Sequence, residues 1–208
     1  MPRRRLTRED KRQANRARIL QAARKVFAQR GYHGATIAQI ADEAGLSNGA
    51  VYYNFTNKED LFLALLDQWR AELIRDIGKA VGRPGSAEPQ RPFQDEVLHV
   101  VAALKRGREW RLLLFEFVTY AARNPQFRER FVAGRQKFKG ALASALAERT
   151  AAHHIQPALS PEQLAALLTA LVNGLALDEV TEPGAIPDDL LATALLVLIG
   201  PGRQPGQP

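Results

Sequence analysis

The chain has 208 residues, 46% of them hydrophobic and 25% charged, with 29 Lys plus Arg against 22 Asp plus Glu, a formal net charge of +7 and no cysteine. That length and composition can bury a sizeable core in one large domain or two small ones, and they exclude a chain disordered throughout. The absence of cysteine excludes disulfides, thiolate nucleophiles and cysteine-based metal sites, and a reducing, cytoplasmic compartment is the expected setting.

The charge sits at one end. Residues 1–58 carry 12 Lys plus Arg and 4 Asp plus Glu, which leaves the rest of the chain nearly neutral. Arg3, Arg4, Arg5, Arg8, Lys11 and Arg12 fall in residues 1–14, read as a basic flexible arm, and Arg16 and Arg18 open the first periodic segment. Such a footprint suits a polyanion, because each neutralised phosphate releases condensed counterions; a solvated tail is the competing reading. No apolar stretch follows the basic start, so nothing reads as a secretory signal. The longest nearly unbroken apolar run, Leu190 to Ile199, is about half of the roughly 20 residues a membrane helix needs, and no membrane partner is expected.

Apolar residues recur at helical spacing almost throughout, which predicts an all-α protein. The first helix carries Ile19, Ala23, Val26 and Phe27 on one stripe and stops at Arg30-Gly31. Thr36-Ile-Ala-Gln39 is a capping-box pattern, so a second helix starts there with Ile37, Ile40, Ala41 and Ala44 inward and ends at Gly45. Ser47 can N-cap a third helix with Val51 and Phe55 on its apolar side. A fourth opens at Asn57, and its stripe of Leu61, Leu65, Trp69, Leu73 and Ile77 runs over about five turns. Residues 82–92 hold three prolines and two glycines and read as a loop. Helices follow from Phe93 to about Lys105 and from Glu109 to about Arg123. A long one then starts at Asn124-Pro125 with Phe127, Phe131, Phe138, Leu142 and Leu146 inward. Ser160-Pro-Glu-Gln163 is a second capping box with proline at N1. The helix it opens, and a last one from about Pro187 to Ile199, are apolar on almost every side; residues 201–208 read as a disordered tail.

Two helices without a solvent face, in a chain this short, call for cover from a second copy. A four-helix arrangement about a two-fold axis predicts a homodimer seam at Leu164, Leu168, Leu171, Leu175, Leu191, Leu195 and Leu198, the alternative being that both helices sit at the centre of a monomer.

The segment from Thr36 to Lys58 carries the chemistry. Ala41, Gly45, Leu46 and Val51 stand where a helix-turn-helix needs a small contact residue, a turn glycine and locking apolar side chains. The third helix can then enter a major groove with Asn48, Gly49, Ala50 and Tyr52 near base edges. Only Asn48 and Tyr52 offer side-chain hydrogen bonds there, so direct readout per half-site is modest. Thr36, Tyr53, Asn54 and Lys58 are placed to grip phosphates, and Ser47 opens the recognition segment, so that these nine residues are the candidate interface with a double-stranded DNA operator. Each has a blander use: Tyr52 packing on the first helix, Asn48 favouring a helix start, Lys58 solvated in a first turn.

This stretch resembles the tetracycline-repressor (TetR) family over about residues 15–65. The pattern runs through Ala22-Ala23, Phe27, Gly31, Thr36, Ile40-Ala41, Gly45-Leu46-Ser47, Gly49, Val51-Tyr52-Tyr53-Asn54-Phe55, Lys58 and Leu61. The resemblance implies a homodimeric DNA-binding repressor of about nine helices, three in the DNA-binding domain and the rest forming an effector pocket and dimer interface. It also implies that Asn48, Gly49, Ala50 and Tyr52 face bases while Thr36, Tyr53, Asn54 and Lys58 face phosphates. Where the family often has histidine, this chain has Asn54, a neutral amide.

The expected organisation is therefore a helix-turn-helix domain at 15–57 and a helical effector-binding and dimerisation domain at 58–200, with the helix at 58–81 linking them. Glu116 shares a stripe with Leu113, Phe117 and Tyr120, and a carboxylate there needs a partner or a ligand. With Trp110, Phe115 and Tyr120 as aromatic walls, and Phe93, Phe131, Phe138, Thr169 and Asn173 from neighbouring helices, it outlines a pocket for a small, largely apolar effector. Glu116 paired with Arg111 or Arg135, and Asn173 in the dimer seam, are the alternatives. No cofactor or metal is expected: His153 and His154 are adjacent and point about 100° apart on a helix, so they cannot chelate together. No nucleophile elbow or phosphate-binding glycine loop marks an enzyme. A constitutive architectural DNA binder with a filled C-terminal core is the competing function.

Overall fold

A computed structural model of the chain describes residues 7–81, 92–105 and 108–200, with residues 80, 81, 105 and 108–111 as backbone only. The described residues form nine α-helices and no strand: α1 (Arg8–Gly34), α2 (Ile37–Ala44), α3 (Asn48–Asn54), α4 (Lys58–Val81), α5 (Phe93–Lys105), α6 (Arg108–Arg123), α7 (Pro125–Ala152), α8 (Pro161–Thr181) and α9 (Leu190–Ile199). The expected loop at 82–92, apart from Pro92, and the tail at 201–208 lie outside the described residues. The chain gathers into two compact units, residues 1–69 with 113–131, and residues 70–112 with 132–208. The C-terminal part of α6 and the start of α7, which the sequence groups with the effector domain, thus belong to the first unit.

Local chemistry sets the helix ends of the first unit. Thr36 Oγ1 accepts from Gln39 N–H at 3.2 Å while Gln39 Oε1 accepts from Thr36 N–H at 3.0 Å, closing the capping box. Gly45 sits in the left-handed region at φ 61°, where a Cβ is costly, and Leu46 N–H returns to Ala41 O at 2.9 Å to end α2. Ser47 Oγ accepts from Ala50 N–H and Asn57 Oδ1 from Asp60 N–H, so α3 and α4 start where their caps demand. Each such cap contributes about 1 kcal/mol. Ile19, Ala23, Phe27, Ile40, Val51 and Phe55 fill the space enclosed by α1–α3 and are almost fully buried.

In two places α1 differs from the sequence expectation. It begins at Arg8, so residues 8–14 are helical and not a flexible arm. Thr7 Oγ1 accepts from Asp10 N–H at 3.0 Å and the Asp10 carboxylate accepts from Thr7 N–H at 2.8 Å, a third capping box that was legible as Thr7-Arg-Glu-Asp10. The helix also resumes after its break at Gly31, whose φ of 67° and ψ of 174° interrupt it before a last turn to Gly34. At the junction to α7, the Asn124 side chain reaches back: its Nδ2 donates to Tyr120 O at 2.8 Å and satisfies the end of α6.

In the second unit Val97, Val101, Leu168, Leu191, Ala192, Leu195 and Ile199 form the core, with Leu146, Leu171, Leu175 and Leu198 packed against it. Most of the residues expected at a dimer seam are spoken for within the chain. Leu164, Leu168, Leu191 and Leu195 are buried inside one subunit, and Leu171, Leu175 and Leu198 are half-buried and lean on the same core. An all-apolar helix does not say which face turns inward. The structure turns outward Ala166, Leu167, Ala170, Gly174 and Leu177 of α8 and Leu190 and Val197 of α9, with Val197 76% exposed. By length and composition α8 could cross a bilayer; in the chain it buries Leu164, Ala165, Leu168 and Ala176 on one side and leaves its other side exposed.

Beneath the α8–α9 core, Glu96 of α5 is 3% exposed. It is held by Arg149 of α7 through two hydrogen bonds, and His153 Nε2 lies 3.1 Å from its second oxygen. A carboxylate buried so deeply requires this pairing.

Candidate DNA-binding site

The three-residue turn between α2 and α3 leaves α3 with one face on the core and the other in solvent. Val51 is the inward residue. Asn48, Gly49, Tyr52 and Tyr53 are exposed, Tyr52 at 56% and Tyr53 at 77%, while Ala50 and Asn54 are half-buried. Tyr52 keeps more than half of its surface in solvent, where its ring and hydroxyl can meet another molecule. Apart from the tyrosine rings, the outward face of α3 is small and uncharged.

Ser47 and Thr36, both exposed, spend their side-chain oxygens as helix caps, so their hydroxyl protons remain as donors at the starts of α3 and α2. Asn54 uses one amide hydrogen on Ala50 O at 2.8 Å, which stiffens the last turn of α3 and leaves the second N–H for another acceptor.

Lys58 behaves differently from a solvated phosphate contact. Its ammonium donates to Tyr32 O at 2.9 Å and to Ala35 O at 3.0 Å and lies 4.4 Å from the centre of the Tyr32 ring. Burial lowers its pKa from the ordinary lysine value. A lysine in the first turn of α4 opposes the macrodipole; here the side chain folds back to close the end of α1, which resolves that conflict. One N–H of the three is left over.

Glu116 likewise has a structural partner, the backbone of Tyr32; the Arg111 side chain lies outside the described residues. The break at Gly31 removes Tyr32 N–H from the helical ladder, and Glu116 Oε2 accepts it at 2.8 Å across 84 residues of sequence. Gly31 owes its glycine to a positive φ; a Cβ there would also lie 2.9 Å from Glu116 Oε1, so the carboxylate would have to shift. Tyr32 packs edge-on to Phe117 at 4.8 Å, and Tyr120 donates its hydroxyl to Glu59. Burial raises the Tyr32 pKa, with the nearby Glu59 and Tyr120 adding to the shift, and the Glu59 bond raises that of Tyr120. α6 therefore grips the helix-turn-helix unit through Glu116, Phe117 and Tyr120.

The expected effector residues are divided. Phe115, Glu116, Tyr120 and Phe131 belong to the first unit, and Phe131 is buried against Phe127. Phe93, Phe138, Thr169 and Asn173 belong to the second and are half-buried, with Phe93 edge-on to His153 and Thr169 Oγ1 donating to Ala165 O. The Trp110 side chain lies outside the described residues.

Two basic residues of α1, Arg16 and Arg18, border α3 and the turn before it, and Arg12 follows one turn further out. Arg18 donates to Ala44 O at 2.7 Å, closing the end of α2; Arg16 lies 4.5 Å from the centre of the Phe55 ring; Arg12 pairs with Glu9. A three-helix head with a tight turn, an outward-facing third helix and a basic flank defines a helix-turn-helix nucleic-acid-binding protein by class.

Comparison with known proteins makes this specific. Residues 19–65 match the family model described as bacterial regulatory proteins, tetR family, and residues 94–199 match that of the BetI-type transcriptional repressor C-terminal domain. The chain belongs to the TetR family of transcriptional regulators. It is 32% identical over 117 residues to the HTH-type transcriptional repressor AcnR of Corynebacterium diphtheriae, covering 56% of this chain and 55% of that protein, so the chain spans about half the length of this curated relative. Among solved structures, a TetR-family regulator from Rhodococcus sp. superposes with a TM-score of 0.73 at 23% identity, covering 90% of this chain and 100% of that one. A regulator from Saccharomonospora viridis in complex with choline gives 0.66 at 22%, covering 90% and 96%. Both support the fold.

Proposed function

We propose that the protein is a ligand-responsive transcriptional repressor of the cytoplasm that binds a pseudo-palindromic DNA operator as a homodimer. The observation that carries this reading is the outward face of α3, where Asn48, Gly49, Tyr52 and Tyr53 stand exposed on a helix fixed by its caps and by Val51. Asn48 and Tyr52 read bases; Ser47, Thr36 and Tyr53 donate to phosphates, with Asn54 adding its second amide hydrogen. Lys58 serves the interface by fixing the start of α4 against Tyr32 and Ala35, with its third N–H left for a phosphate.

The second copy covers the apolar face of Leu167, Ala170, Gly174 and Leu177 with Leu190 and Val197. Two-fold symmetry then sets the recognition helices roughly 34–36 Å apart, one turn of duplex, in the competent state. The effector is small and largely apolar and binds among the helices of the C-terminal region, with Phe93, Phe138, Thr169 and Asn173 as contacts; that a regulator of similar fold is found in complex with choline, a small quaternary ammonium cation, supports a small-molecule ligand. An effector that favours one position of α6 over another shifts the population of DNA-competent heads, because α6 holds Tyr32 through Glu116.

Selection of DNA fragments by the purified protein, followed by titration of variants, tests the reading. Asn48→Ala changes which bases are preferred, at about 1–3 kcal/mol per lost base contact, whereas Tyr53→Ala weakens binding to all sequences alike. Unchanged affinity and preference in both variants would refute it.

A further inference from the structure

The first three turns of α1 stand outside the three-helix core, and their sidedness is informative. At about 100° per residue, Arg8, Lys11, Arg12, Asn15 and Arg16 fall within one arc of roughly 140°. Of the residues that α1 buries in the core, Ala22, Val26, Ile19 and Ala23 fall on that same arc, and Phe27 and Leu20 lie about 20–40° beyond its edge. The face that is apolar from residue 19 onward is therefore basic from residue 8 to residue 16, over about 12 Å of helix. Its inner end is fixed by Arg16 against Phe55, which caps α3. Arg12 comes next, exposed and one turn further out, with its guanidinium on the Glu9 carboxylate. Arg8 and Lys11 continue outward and are exposed. The two acidic residues of the segment are both engaged, Asp10 in the capping box and Glu9 with Arg12 and Gln13. The segment's only apolar residues are Ala14 and Ala17, so the face has no large apolar side chain to seat in a protein core or among lipid chains.

We infer that the first three turns of α1 are a rigid phosphate clamp, in which Arg8, Lys11 and Arg12 grip duplex backbone flanking the half-site read by α3. Extending a helix that already exists avoids the cost of nucleation, and the Thr7 cap holds its first turn, so the cations arrive in place. A flexible arm of equal charge loses conformational entropy on binding; a capped helix loses little. Arg12 exchanges the Glu9 carboxylate for phosphate, an exposed pair that costs little to open.

This inference rests on the DNA-binding reading and is tested with the full-length protein on a 30-base-pair duplex of mixed sequence, following affinity against salt. Each phosphate contact contributes about 0.9 to the slope of log K against log salt, so Arg8→Gln with Lys11→Gln lowers the slope by about 2. A fourfold variant adds Gln13→Lys and Ala17→Arg, exposed positions about 160–180° away from Lys11 and Arg8, which restores the net charge on the wrong side of the helix. If the clamp is right, the fourfold variant keeps the shallow slope. A return to the wild-type slope, or no change in the double variant, overturns it in favour of undirected charge. Wild-type protein that binds no duplex at all would refute the DNA-binding reading instead. Equal helical circular dichroism in all three proteins excludes unfolding as the cause.

Discussion

Replacing Glu116 with alanine takes the acceptor from Tyr32 N–H at a point where the backbone cannot supply another, because Gly31 has broken the ladder. A hydrogen bond to a charged group is worth about 1.5–3 kcal/mol, so local opening around Tyr32 becomes easier by about 2 kcal/mol, and its amide exchanges with solvent about 30 times faster. Gly31→Ala acts on the same contact from the other side. The backbone at φ 67° and ψ 174° lies in a region held almost only by glycine and costs about 1–2 kcal/mol with a Cβ. That Cβ also falls 2.9 Å from Glu116 Oε1, the mobile end of a side chain that moves away readily but then gives up Tyr32. Gly31→Ala thus costs about 3–4 kcal/mol, and adding Glu116→Ala costs almost nothing more, since the second change removes what the first had already displaced. The double-mutant cycle, read by urea unfolding, shows a coupling of about 2 kcal/mol. Additive costs, or unchanged exchange at Tyr32 in Glu116→Ala, would show that α6 does not hold α1 through this bond.

Raising the pH probes the same cluster. The Tyr32 phenol titrates above its ordinary value near 10 because it is buried, so its contribution to stability is complete below pH 10 and is lost as pH rises through its folded-state pKa. Tyr32→Phe keeps the ring and removes that loss; parallel stability curves for the two proteins between pH 9 and 11 would contradict the assignment. In the second unit, Glu96→Ala leaves Arg149 buried without its carboxylate and costs about 3–5 kcal/mol in urea unfolding, while Glu96→Leu with Arg149→Met recovers most of it. Failure of the pair to recover would mean that His153 or packing carries the effect. Leu167→Glu with Leu177→Glu lowers the mass in sedimentation equilibrium from about twice 23.0 kDa to 23.0 kDa without loss of helix, because both residues are exposed in the subunit. Leu168→Ala instead destabilises the subunit by about 2–5 kcal/mol, and a mass unchanged by the double substitution would place the seam elsewhere.

Local chemistry alone determined the helix ends and the helix-turn-helix. Thr36, Ser47, Asn57 and Ser160 act on donors three residues away, and Gly45 on carbonyls just behind it, so residue type and spacing are sufficient. Thr7 belongs with them: its capping box is in the sequence, and it makes helix of a run of arginines that by charge alone resembles a loose arm. Only the tertiary structure decided where Glu116 and Lys58 point. Their partners are backbone groups of Tyr32 and Ala35, 84 and 23–26 residues away, and a backbone N–H or carbonyl leaves no mark in side-chain patterning. The same holds for α8 and α9, whose apolar residues surround the axis; periodicity marks a buried face by contrast with a polar one, and without that contrast packing against Val97 and Val101 of α5 makes the choice.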